Sequence, residues 1–299
     1  MSLEAVLESV PELHDAVRVD SLTGGLTNTN YKVTSPAGAF VVRISGKDTG
    51  LLAIDRANEA HNTRSASDCG VGARFVAALP EHDALVLEFI EGEVMSKEKL
   101  QRGDRLGQVA AACRRLHGAG RFLADFDMFQ IQPGYLRIVR DRGFRLPDRY
   151  ESFEPQVRAL EQAMRARPEA TVPCNNDLLA ENLIETGGEF RLIDYEYSGN
   201  NEPSFELGNI WSESNLSLAQ LEELVASYYG EPLRNKVARA RLWGLMSKYG
   251  WTLWASIQDG ISDLDFDFWG WGMEKYERAV GEFDGPEFER LLEHVQAET

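Results

Sequence analysis

Several classes are closed to this 299-residue chain by what it lacks. It has only three cysteines, Cys69, Cys113 and Cys174, odd in number and far apart. Neither a disulfide framework nor a zinc spacing is visible, so a reducing compartment is expected. No two of its five histidines stand at metal-ligand spacing, and His117 reads as a helix-terminal structural residue. No Gly-x-Ser-x-Gly nucleophile elbow occurs. No run approaches the roughly 18 apolar residues of a membrane span. The opening Met-Ser-Leu-Glu-Ala-Val has no basic stretch followed by an apolar one, so no leader is expected. Basic residues are in deficit: 31 Lys and Arg against 48 Asp and Glu, a formal charge of −17. That speaks against nucleic acid and anionic membranes as partners and is compatible with a small cation. A cytoplasmic protein is the expectation, and a homodimer is left open. Internal repeats and low-complexity tracts are absent, and no tryptophan precedes Trp211.

Hydrophobic residues make up 43% of the chain, enough for a substantial core. Residues 3–13 read as a short amphipathic helix ending near Pro11. Strands are expected at 16–22, 29–34, 39–45, 74–78 and 84–90, from their alternation and β-branched content. A turn at 35–38 joins the second pair. Residues 55–68 read as a helix capped by Asp55. Glu91-Gly92-Glu93 is a natural hinge. Beyond it the pattern predicts helices at 97–118, 151–166, 203–228, 232–258 and 271–299, interrupted by a strand pair near 182–186 and 190–194. The expected fold is α+β: a small antiparallel-sheet lobe over 1–91, and a larger, mainly helical lobe over 92–299. A cleft between the lobes is the expected ligand site.

Residues 174–199 carry the densest chemistry. Asp177 and Asn182 lie five positions apart in an apparent loop, and Asp194 follows the apolar Phe190-Arg-Leu-Ile. Acids at the ends of buried strands are costly unless they bind something, here Mg²⁺. Glu196 would share a side with Asp194 if the strand continues. An acid, an amide and a second acid in this order are what phosphoryl transfer needs. The bland reading is a set of loop acids on an acidic protein. Gly24-Gly25-Leu-Thr27-Asn28 lies between two expected strands, where glycines let backbone amides approach phosphate and Thr27 and Asn28 add donors. A plain hairpin turn is the competing reading. Arg43 sits in the apolar strand Phe-Val-Val-Arg-Ile and needs a partner, for which Glu59 on the next helix is suited. Trp251 and Trp254 are three apart on one helical face, and Trp271 follows beyond a loop dotted with acids. Aromatic faces beside carboxylates hold ammonium groups, although periodicity alone favours a Trp-rich core.

Together these residues resemble the choline/ethanolamine kinase family, within the aminoglycoside-phosphotransferase-like branch of the protein-kinase-like fold. Gly24-Gly25-Leu-Thr-Asn is similar to its phosphate loop and Val-Val-Arg43-Ile to its nucleotide-contacting strand. Glu88-Phe89-Ile90 resembles the hinge that reads adenine through its backbone. Asn176-Asp177-Leu-Leu-Ala-Glu-Asn182 resembles the catalytic loop. Ile-Asp194-Tyr-Glu196-Tyr-Ser-Gly, with Phe-Glu-Leu-Gly-Asn209-Ile and Glu213, is the most family-specific part. Trp251 to Gln258 and Phe266 to Trp271 resemble the aromatic choline-binding region.

The resemblance implies an ATP- and Mg²⁺-dependent kinase of a small cationic amino alcohol, in phospholipid-precursor metabolism. Asp177 would deprotonate the acceptor hydroxyl. Asn182 and Asp194 would hold the metal. Arg43, set by Glu59, and the loop 24–28 would hold the triphosphate. Glu196, Glu213, Trp251, Trp254 and Trp271 would receive the ammonium end. Two positions depart from the family. Asn175 stands where it has His, and Ser214-Asn-Leu-Ser-Leu218 stands where a Tyr is expected. The second departure makes ethanolamine or another amino alcohol a competitor to choline. Alternatives are a kinase of another small acceptor (aminoglycoside, thiamine or sugar) and a nucleotide-binding pseudokinase.

Overall fold

The structure, a computed structural model, describes residues 3–46, 49–102 and 105–297. The first two residues, 103–104 of the expected helix 97–118 and 298–299 of the expected helix 271–299 lie outside it. The chain starts with helix α1 (Leu3–Ser9), then strands β1 (Arg18–Leu22), β2 (Asn28–Ser35) and β3 (Gly38–Ser45). Helix α2 (Arg56–Asp68) precedes β4 (Phe75–Leu79) and β5 (Ala84–Glu88). These strands form one antiparallel sheet in the order β1-β2-β3-β5-β4. Alternation along β3 divides its side chains between two faces. Phe40 and Val42 pack with Val6, Val10, Leu13, Val33 and Val86 in a core under α1. Arg43 goes to the other face, toward α2. The α2 cap is as read from the sequence: Asp55 accepts from the amides of Ala57 and Asn58 at 2.9 and 3.1 Å.

Beyond Glu88 the chain is mainly helical. Strand β6 (Glu93–Val94) leads to α3 (Lys97–Leu100), α4 (Leu106–His117), α5 (Met128–Arg142) and α6 (Glu154–Ala166). Four short strands follow, β7 (Val172–Cys174), β8 (Leu183–Thr186), β9 (Glu189–Leu192) and β10 (Gly199–Asn201). The chain closes with α7 (Pro203–Glu213), α8 (Leu218–Tyr229), α9 (Arg234–Ile261), α10 (Phe268–Phe283) and α11 (Phe288–Gln296). Helix α9 is the central pillar, buried along most of its length from Ala238 to Gln258. No helix of the described residues is long and apolar enough to cross a membrane.

Several expectations change; the helix expected at 97–118, for one, is described as α3 and α4. The helix expected at 203–228 is two helices, because Ser217 caps α8 and exchanges reciprocal hydrogen bonds with Gln220. The helix expected at 271–299 is also divided, at the Asp284–Glu287 turn. The strand carrying Asp194 ends at Leu192, so Asp194 and Glu196 lie in a turn rather than on one strand face. Helix α5 was not anticipated at all; Asp127 caps it, and Pro133 sits inside it.

The large lobe is locked by a buried acid. Glu202 accepts from Arg239 Nε and Nη2 and from Trp243 Nε1, all at 2.7 Å. Removing Glu202 leaves the buried Arg239 with only its longer ion pair to Glu169, at 3.5 Å. Glu202→Ala is expected to lower the unfolding free energy by about 3–5 kcal/mol, read from urea denaturation. A loss below about 1 kcal/mol would class the pair with exposed ion pairs.

Candidate active site

Arg43 is the hub where sheet, helix and turn meet. Its guanidinium lies 3.2 Å from Glu59 on α2, 2.8 Å from Asp194 and 3.0 Å from Glu196. The expected Arg43–Glu59 pair is therefore present within a wider cluster. Arg56, one turn before Glu59, contributes a second guanidinium, 2.7 Å from Glu59 and 2.6 Å from Glu196. Burial opposes charge on Arg43, but Asp194, Glu59 and Glu196 raise its pKa further above the ordinary value. Burial likewise pushes the Glu59 and Asp194 carboxyls up, against the pull of Arg43. Glu196 ends differently: burial would raise it, but Arg43 and Arg56 prevail and lower it to about 2.

The glycine loop closes over this cluster. Gly24 has φ +103°, a conformation L side chains rarely adopt, and a Cβ on Gly25 would come 2.6 Å from the Asn28 carbonyl oxygen. The turn thereby directs Thr27 Oγ1 and Asn28 Nδ2 onto Glu196, at 2.6 and 2.8 Å. This is a correction to the sequence reading. Glu196 was expected at the ammonium end of the acceptor; its carboxylate is bound by Thr27, Asn28, Arg43 and Arg56, beneath the loop. A cleft of about 300 Å³ opens beside the loop, lined by Thr27, Asn28, Gly46, Thr49, Gln258 and Asp263 among others. Gln258 donates to the Leu26 carbonyl at 3.0 Å, tying α9 to the loop.

The hinge differs in part from expectation. The amides of Glu88 and Phe89 donate to the carbonyls of Arg74 and Ala39, both at 2.9 Å. The Glu88 carboxylate pairs at 2.5 Å with Arg74, the residue before β4. Two of the three amides proposed to read adenine are therefore engaged within the sheet. The Ile90 amide donates to no described residue.

The loop carrying Asp177 is held by Glu206 and Asn209, residues of the Phe-Glu-Leu-Gly-Asn-Ile segment to which the sequence reading gave no role. Glu206 on α7, fully buried, accepts from the amides of Asn175 and Asn176 at 2.9 and 2.7 Å. Asn209, one turn later, accepts from the Leu178 amide at 2.8 Å. Their three-residue spacing on one helix was the available signal. Asn175, the residue out of family pattern, bridges two segments. Its Nδ2 donates to the carbonyls of Ile193 and Asp194 at 3.1 and 2.9 Å, and its Oδ1 accepts from the Asp177 amide at 3.1 Å. The Asp177 carboxyl is pushed well above the usual range by burial and then by Glu213 and Asp194.

Asn182 Nδ2 donates to the Asp177 carbonyl at 2.8 Å, which leaves its Oδ1 available. Asp194 is turned by a φ of +64° and its side chain is 37% exposed. An amide oxygen beside a half-exposed carboxylate suits a hard divalent cation. The buried trio His117, Cys174 and Glu206, whose ligand atoms lie within 4.8 Å of one another, does not. Glu206 is engaged by two amides, His117 Nδ1 pairs with Tyr228 at 2.7 Å, and burial pushes the Cys174 thiol up.

On the far side of Asp177 lies an aromatic cluster. Trp254 Nε1 donates to Tyr197 Oη at 2.6 Å, and Tyr197 stands edge-on to Trp251 at 4.8 Å. Trp254 and Trp271 meet at 5.6 Å. Trp251 and Trp254 are only 3% and 5% exposed, so they are largely core, while Trp271 is half-buried. Glu213 is buried and forms an ion pair with Lys275, which the sequence reading did not single out. Lys275 stands one turn after Trp271, a spacing that was legible.

Comparison with known proteins agrees with this architecture. The choline/ethanolamine kinase family matches residues 19–228. Mouse ethanolamine kinase 2 is 25% identical over 287 residues, covering 85% of this chain and 73% of that protein. The crystal structure of a choline/ethanolamine kinase family protein from Mesorhizobium loti superposes with a TM-score of 0.86 and 31% identity, covering 98% and 97% of the two chains. The gentamicin–APH(2″)-IIa complex, at 11% identity and a TM-score of 0.66 over 93% and 96%, shares the fold.

The charge balance around Glu196 has a measurable signature. Its folded pKa of about 2 lies below the ordinary 4.5, so its stabilisation is present above 4.5 and is lost as pH falls toward 2. Glu196→Gln is expected to flatten the fall in Tm across that window, measured by thermal melts at stepped pH. An equally steep fall in the variant would remove Glu196 as its source.

Proposed function

The chain belongs to the choline/ethanolamine kinase family, and from that premise we propose that it transfers the γ-phosphoryl group of ATP to the hydroxyl of a small amino alcohol, choline or ethanolamine first. The observation carrying the residue assignment is the meeting of Arg43, Asp194 and Glu196 beside the loop of Asp177, with Glu213 and Lys275 of the aromatic cluster close enough to act on the Asp177 carboxyl. Asp177 orients the acceptor hydroxyl and takes its proton as the bond to phosphorus forms. Its raised pKa makes it a stronger base than a surface carboxylate once ionised. Glu206, Asn209 and Asn175 hold the loop from behind, so Asp177 meets the hydroxyl without reorganisation.

The triphosphate is held by Arg43, with Glu59 keeping the guanidinium in place, and by the backbone at 24–28. Asn182 Oδ1 and Asp194 are the groups suited to Mg²⁺, and Glu196 is positioned to join them when Arg43 turns to phosphate. The metal would supply charge neutralisation between the phosphates. Ile90, with its unengaged amide, is the remaining hinge donor for adenine. Trp271, Trp254, Trp251 and Glu213 form the acceptor end. Asn175 supports transfer over a pseudokinase, because it performs the tethering that the family's His would otherwise supply. Three free cysteines, two of them buried, support the reducing cytoplasm as the working compartment.

Asp177→Ala is expected to lower transfer to choline and ethanolamine by about 10²–10⁴-fold while the Kd for ATP stays within twofold. Transfer at the parent rate would overturn the assignment of the base. Trp271→Leu is expected to raise the acceptor KM by about tenfold and leave the KM for ATP unchanged. Equal changes in both would place Trp271 outside the acceptor pocket.

A further inference from the structure

An ammonium already occupies the acceptor pocket, and it belongs to the protein. Lys275 Nζ lies over Trp271, 3.9 Å from the ring centroid. The same Nζ donates to Glu213 Oε2. The two side chains of this pair are 5% and 2% exposed. An aromatic face and a buried carboxylate are the two elements that recognise a bound ammonium. Both are held by Lys275. From other elements, Asp177 and Lys97 also act on it. The second oxygen of Glu213, Oε1, is buried with no hydrogen-bond partner. A buried carboxylate oxygen left unpaired is costly, so it marks a place for a donor.

We propose that Lys275 is a specificity-determining residue, a resident cation that holds the ammonium subsite and selects acceptors carrying N–H donors over quaternary ones. The proposal rests on the reading of the aromatic pocket as the acceptor site. A primary ammonium presents three N–H groups and can donate to Glu213 Oε1 while Lys275 keeps Oε2. A trimethylammonium group has no donor for Oε1 and draws its binding from the aromatic face. It must therefore expel Lys275 from Trp271, breaking a buried ion pair. The parent enzyme accordingly prefers an ethanolamine-like acceptor to a choline-like one. Removal of the Lys275 charge opens the Trp271 face to the quaternary group.

Lys275→Met keeps the length and apolar stem of the side chain. The ratio of kcat/KM for choline to that for ethanolamine is expected to rise about tenfold or more in this variant, mainly through a lower choline KM. Because Glu213 is then unpaired, the double variant Lys275→Met/Glu213→Gln guards against loss of folding. Tetramethylammonium chloride, titrated by calorimetry, is expected to bind the double variant about tenfold more tightly than the parent. An unchanged substrate ratio in a folded single variant, or equal tetramethylammonium affinity in parent and double variant, overturns the proposal. If the parent transfers phosphate to ethanolamine and that result is obtained, the proposal falls alone. If no amino alcohol is phosphorylated by parent or variant, the functional reading falls and the proposal falls with it.

Discussion

The placement of the buried Arg43 guanidinium is the constraint on which the rest of the active site depends. A cation in the interior is tolerable only when carboxylates surround it. Here those carboxylates come from a helix of the small lobe and a turn of the large one. Cancelling one charge therefore fixes the relation between three segments distant in sequence. The glycine loop is drawn into the same cluster, because Thr27 and Asn28 complete the hydrogen bonding of Glu196. The nucleotide end is thus organised by electrostatics rather than by apolar packing.

The catalytic loop follows the opposite rule. It is tethered by fully buried neutral and singly charged hydrogen-bonding groups: Asn175, Asn176, Asn209 and Glu206. Asn175 reaches both the Asp177 amide and the carbonyls before the Asp194 turn. One amide side chain therefore ties Asp177 to the Asp194 turn. Its two functions, donor and acceptor at the two ends of one planar group, suit a bridging role.

Much of this was legible in the sequence. The Asp55 cap, the alternation of β2 and β3 and the Arg43–Glu59 pair all follow from local pattern and from the cost of an unpaired charge. The order of Asp177, Asn182 and Asp194 pointed to phosphoryl transfer, and the chain belongs to a kinase family. The illegible parts have specific causes. Helix α5 carries Pro133-Gly134, which reads as a turn, yet its cap and packing override propensity. The break between α7 and α8 depends on a four-residue capping box hidden in a helical pattern. Glu196 shares Arg43 with Asp194 as the sequence suggested, but from a turn beyond a strand that stops at Leu192; its place at the ammonium end came from the resemblance, and its carboxylate is instead bound by Thr27, Asn28, Arg43 and Arg56. Lys275 escaped notice because a lone lysine on an amphipathic helix is ordinarily a solvated one. Only the tertiary approach of α7 to α10 brings Glu213 to it.

The internal pairing of Glu59, Asp194 and Glu196 with arginines, and of Glu213 with Lys275, gives the ligand-free pocket a particular character. Although the chain carries a formal charge of −17, these four acids are already matched. Ligands do not enter an open anionic cavity; they enter an ion exchanger. On the proposed assignment, phosphate would take the arginines from the carboxylates, a divalent cation would take the carboxylates released, and an ammonium would compete with the resident lysine for its acid. Each incoming charge would then be met by one set free, which limits the uncompensated charge left in the interior.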